Sequence, residues 1–169
     1  LTHTSGIPAL SGAVSVTYNI WRTDQDTLPM SGYDDLLIFL KEAESEITAP
    51  PGEEFRYNND GYACLAMVVE KVTGMEFAKY VESTILDPLG MHRSGYSEFC
   101  DIAETTHTSD APPVSGHLPK EDMLVPARFP AHPLIYGAGG LISTAEDMAR
   151  FVMMVLNGGV AGVGGDGGE

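Results

Sequence analysis

Tyr57 and Asn59 stand two residues apart on the turn that leads into GYACLAMVVEKVTG, Gly61 to Gly74. A phenol can carry a proton, and a carboxamide both donates and accepts hydrogen bonds, so the two together could move a proton and orient a substrate. Side chains in extended chain repeat with period two, which would let the pair line one cleft. Alone, the same spacing also fits a tyrosine packed at a helix start with Asn59 as the helix N-cap. Other chemistry finds less support. The five histidines lack short ligand spacing, so no metal site is expected, and nothing implies a cofactor. Gly162, Gly164 and Gly167 match G-x-G-x-x-G, but no helix can follow them so near the chain end, and a flexible tail explains the spacing. Asp24 and Asp26 lack the later Gly and Glu of a calcium loop.

The elements that must position Tyr57 and Asn59 follow from periodicity. Gly12 to Trp21 alternates weakly, as a short strand would. Ser31 is placed as an N-cap with Asp34 at the third position, and Leu36, Leu37, Phe39 and Leu40 fall on one helical face that should end near Ser45. The helix after the Tyr57 turn runs from Asp60 or Gly61 to Thr73, with Gly74 placed for a left-handed cap. Its run from Tyr62 to Val69 leaves no polar stripe, which implies burial on most sides. A further helix, Glu76 to Leu86, is stopped by Asp87-Pro88. Six prolines between residues 92 and 136 predict a long irregular excursion. The last helix is STAEDMARFVMMVL, where Ser143 with Glu146 or Thr144 with Asp147 forms a capping box.

Composition narrows the partners. A chain of 169 residues with 43% hydrophobic content can bury one core, and no run approaches the ~20 apolar residues of a membrane span. The formal charge is −15, with the acids spread along the whole chain, so nucleic acid and anionic membrane are poor partners. An ordinary acidic surface or a salt-adapted source accounts for that charge. Cys64 and Cys100 define no disulfide framework and read as free or buried thiols. No signal peptide is seen, and the start at Leu1 rather than Met suggests that the natural protein begins upstream.

Four segments in order carry a resemblance: LTHTSGIP at 1 to 8, Tyr57-Asn58-Asn59 with Gly61-Tyr62, ILDPLGM at 85 to 91, and GAGGLISTAEDMARF at 137 to 151. Together they resemble the serine β-lactamase-like superfamily of penicillin-binding proteins, class C β-lactamases, D-aminopeptidases, alkaline D-peptidases and related esterases. The resemblance implies a mainly α chain over 1–157. It would be the helical subdomain of that fold with a few short strands and a long irregular loop, its α/β sheet layer largely absent, followed by a Gly-rich tail over 158–169. It implies acyl transfer through a serine ester, with Tyr57 as proton carrier and Asn59 orienting the substrate and a lysine. Gly139 and Gly140 would allow close packing near the substrate cleft, and the HTSG segment, with His3, would serve as a structural turn. The family takes its nucleophile from Ser-x-x-Lys, yet Ile38, Val68, Glu76 and His117 stand three residues before the four lysines. None of the five histidines is followed by x-Gly either, so the third family motif, His-x-Gly or Lys-Thr-Gly, is also missing. A serine hydroxyl needs a base, and its oxyanion needs preorganised donors, so this chain alone should be inactive. The alternative is a non-catalytic module using the fold for binding or assembly. The expected partners are a small-molecule or peptide substrate for the parent enzyme, and a second copy or the missing segments over the apolar faces. The compartment is left open.

Overall fold

The computed structural model describes residues 2–7, 30–42, 44, 47, 49–96, 117–120, 123–126 and 132–161. Gly12 to Trp21, Asp24, Asp26, Cys100, His107 and the glycines from 162 onward lie outside the described residues.

The chain is helix-rich. Helix α1 spans Tyr33–Glu42, and Leu36 is its fully buried residue. Ser31 does not cap it by accepting a bond. Its amide and hydroxyl both donate to Asp35 Oδ2, at 2.8 and 2.7 Å, while the Gly32 carbonyl takes the first helical bond from Leu36. The two donors hold the exposed Asp35 carboxyl below its usual range.

Helix α2, Asn59–Thr73, is the hub and packs against α1, α3 and α4. Its C-terminus follows expectation: Gly74 has φ 70° and donates its amide to the Glu70 carbonyl. Its burial does not. The buried residues are Asp60, Ala63 and Ala66, a stripe of period three, whereas Val68 and Val72 are exposed at 50% and 80%. An apolar run therefore does not report burial all round: the small residues at 63 and 66 are buried while Val68 and Val72 face solvent.

Helix α3, Phe77–Val81, continues into a π-helical turn over Glu82–Leu86, seen in the Asp87 amide donating to the Glu82 carbonyl. Ser83 and Thr84 hydroxyls donate to the Lys79 and Tyr80 carbonyls, which diverts acceptors from the α ladder. The excursion from 92 to 136 is not wholly irregular. Strands β1, His117–Lys120, and β2, Met123–Pro126, pair antiparallel with His117 opposite Pro126 and Lys120 opposite Met123. Prolines are tolerated because both strands of a two-stranded ribbon are edges. The short helix α4, Pro133–Tyr136, is entirely buried apart from its first residue, and His132 caps it through Nδ1.

The core is Met30, Leu36, Ala63, Leu134 and Ile135, flanked by Tyr33, Phe39, Leu40 and Cys64. Behind α4, a Cβ on Gly137 would lie 2.3 Å from the Tyr62 carbonyl oxygen and 2.9 Å from the Ala66 Cβ. Close packing thus falls on Gly137. A Cβ on Gly139 would meet nothing within 4 Å, and Gly140 is distinguished by φ 83° rather than by crowding.

Helix α5, Ala145–Leu156, starts from the second of the two possible boxes: the Thr144 hydroxyl accepts from the Asp147 amide at 3.2 Å. Asp147 is almost fully buried, and its carboxylate accepts from the Arg93 amide, the Ser94 hydroxyl and the Arg150 guanidinium at 2.9, 2.7 and 2.6 Å. Those bonds fasten α5 to the turn after Met91, beside a bridge between Gly95 and Ile142.

Candidate active site

The Tyr57 turn is held by the segment 2–7. The Thr4 carbonyl accepts from Gly52, and the His3 carbonyl accepts from Arg56, at 2.7 and 2.8 Å. Gly6 can lie here because it has φ 76° and no Cβ, which would otherwise sit 2.1 Å from the Ala49 carbonyl oxygen. The HTSG segment therefore supports the backbone that leads into Tyr57.

The helix cap is Asn58, not Asn59. Asn58 has extended backbone, φ −150° and ψ 116°, and its Oδ1 accepts from the Gly61 amide at 3.0 Å. Its Nδ2 donates to the Ile7 carbonyl at 2.9 Å, and its own amide donates to His3 Nδ1 at 3.1 Å. These bonds leave Asn58 only 5% exposed. Asn59 becomes the first helical residue and is half-buried. Extended geometry thus ends at residue 58, so the period-two argument places Tyr57 and Asn59 on either side of a buried cap rather than along one strand.

Tyr57 is 62% exposed although the backbone beneath it is pinned. Its ring lies over the His3 imidazole, with centroids 4.5 Å apart and planes tilted by 35°. The same imidazole meets Tyr62 at 4.7 Å and Phe55 at 5.8 Å. His3 is the one non-glycine residue with positive φ, 56°, among the described residues.

A cleft of about 380 Å³ lies at the opposite end of α2, between Tyr33, Glu70, Phe77, Lys79, Tyr96 and Tyr136. Eleven residues of helix, about 16 Å, separate Glu70 from Asn59, so this cleft is distinct from the Tyr57 wall. Burial and the Glu70 charge push the Tyr33 phenol well above the ordinary range, and burial raises Tyr96 as well. Burial, with Asp60 nearby, raises the Cys64 thiol. The hydrogen bond to Glu82 raises Lys79.

The sequence profile of the β-lactamase family matches residues 1–166. The chain belongs to the β-lactamase family. Among similar proteins, penicillin-binding protein 4* of Bacillus subtilis (strain 168) is 29% identical over 96 residues, 56% of this chain and 19% of its own length. The octameric penicillin-binding protein homologue from Pyrococcus abyssi superposes with TM-score 0.74 at 34% identity, covering 95% of this chain and 34% of its own. A penicillin-binding protein from Bacillus halodurans gives 0.65 at 31%, covering 93% and 44%. The chain spans about a third or less of the length of curated relatives such as penicillin-binding protein 4* and the putative penicillin-binding protein PbpX of Bacillus subtilis (strain 168). For this β-lactamase family member, the Tyr-x-Asn turn, the HTSG segment and the Gly137–Phe151 segment all lie within the matched span. Asn58, His3 and Gly137 are the residues that sequence reasoning undervalued. No signal in the sequence separates Asn58 from Asn59, since either can stand before the first helical residue.

Proposed function

We propose that residues 1–169 form the Tyr-x-Asn wall of a serine hydrolase that acts by acyl transfer. The observation that carries this reading is the exposed Tyr57 phenol on a turn whose backbone is fixed by Asn58 and His3. Function needs a reactive group that is accessible yet positioned, and exposed rings on unpinned turns supply only the first. In the reaction, a serine from elsewhere in the parent protein adds to the substrate carbonyl, and its proton passes through Tyr57 to the leaving nitrogen or oxygen. Water then attacks the serine ester, with the same phenol taking and returning a proton. Asn59, at the first turn of α2, orients the substrate and the lysine that the family pairs with its serine. Gly139 and Gly140 border the cleft on the side of α5. The substrates are β-lactams, D-peptides or carboxylic esters, in keeping with relatives named for penicillin binding.

The test compares residues 1–169 with the longest gene product containing them, on nitrocefin and p-nitrophenyl acetate. The expected outcome is turnover by the gene product and none by residues 1–169. A gene product that folds, binds these compounds and turns over neither would instead support a non-catalytic binding module.

A further inference from the structure

His3 is used by the chain in a way that a turn alone does not require. A left-handed φ on a residue with a side chain costs energy, and glycine or asparagine would occupy such a position more readily. Residues held so tend to sit at functional sites, where the surrounding structure fixes them. Beside its ring contacts with Tyr62 and Phe55, three contacts tie His3 to the Tyr57 turn. The backbone carbonyl takes the Arg56 amide, Nδ1 takes the Asn58 amide, and the ring lies beneath Tyr57. Accepting from an amide requires the lone pair on Nδ1, which places the proton of the neutral imidazole on Nε2. The ring is therefore fixed in both plane and tautomer. Tyr57 has one pinned aromatic surface beneath it and solvent over most of the rest, so the imidazole decides where the phenol points.

We propose that His3 is a positioning residue for Tyr57, acting as the platform that aims its hydroxyl at the reacting centre. The inference rests on the reading of Tyr57 as proton carrier and extends it to a residue in a separate segment of chain. His3 itself touches no reacting atom. A misplaced proton carrier loses rate rather than affinity, and small displacements cost up to about 10².

His3→Asn separates the platform from the turn. Asparagine tolerates left-handed backbone, and its Oδ1 can take the place of Nδ1 in accepting from Asn58, but it offers no ring. In the active gene product, His3→Asn should lower kcat about tenfold, with KM within about twofold and an unchanged melting temperature. In a Tyr57→Phe background the same substitution should cost nothing further, because its only route to the chemistry is gone. Ring-proton nuclear Overhauser contacts between His3 and Tyr57 should be seen in the unsubstituted chain. Equal losses from His3→Asn with and without the Tyr57 hydroxyl would make His3 structural and overturn the proposal. So would parental activity of His3→Asn beside an impaired Tyr57→Phe, or absence of the ring contacts. If Tyr57→Phe itself retained parental activity, the reading of Tyr57 would fail, and the platform would have nothing to aim.

Discussion

At the scale of single residues, the turn between Glu54 and Asn59 divides labour between neighbours of similar chemistry. Asn58 is buried and spends both ends of its carboxamide on the fold, while Asn59 is the first helical residue and is half-buried. Asn58→Ala should therefore cost about 1–3 kcal/mol, by losing the cap and leaving the Ile7 carbonyl unmet. Asn59→Ala should cost less stability, since the cap remains, and urea unfolding of the two variants would rank them. The reverse ranking would return the cap to Asn59. The place of Tyr57 just before a helix was legible from the sequence, because the run that ends at Gly74 carries a helical signal. The choice between Asn58 and Asn59 was not, since it depends on where helical dihedrals begin, and end boundaries move by a residue or two. His3 was read as a turn residue because no sequence pattern encodes a stacking distance.

At the scale of elements, the order and ends of α2 and α5 follow from capping chemistry at Gly74 and Thr144. What periodicity could not supply was which face each helix buries. The face of α2 at Tyr62 and Ala66 is met by Gly137, just over seventy residues away in sequence, and the Asp147 carboxylate by the Arg93 to Ser94 turn. The seam between α1 and α4 is held by the Tyr33 hydroxyl, which donates to the Pro133 carbonyl at 2.9 Å. Its phenol is neutral in the fold well past the 10.0 of an ordinary tyrosine, because burial and Glu70 disfavour the anion. The raised value means that this stability is complete below pH ~10, where the unfolded chain also keeps its proton, and is lost as rising pH ionises the unfolded phenol. Urea midpoints at about pH 8 and about pH 10.5 should fall more for the parent than for Tyr33→Phe. Tyr96 and Cys64 shift the same way, so a smaller alkaline loss should survive the substitution. An identical loss in both proteins would remove Tyr33 from this role.

At the scale of the whole molecule, the apolar side chains left in solvent include Val68 and Val72 on α2, and Met148, Val152, Val155 and Leu156 on α5. Full burial of each is worth about 1.5–3 kcal/mol, against a domain stability of about 5–15 kcal/mol. We expect copies of the chain to cover these faces. The net charge of −15 opposes that contact until salt screens it. Sedimentation should show a larger species at about 1 M than at about 0.05 M salt, and a monomer at both would mean that copies do not supply the cover. No helix among the described residues is long and apolar enough to cross a membrane. Tyr57→Phe removes the phenol hydroxyl alone. In the active gene product this substitution should lower turnover of nitrocefin or p-nitrophenyl acetate by about 10²–10⁴ with little change in melting temperature. Turnover within about threefold of the parent would contradict the assignment of Tyr57 as the proton carrier.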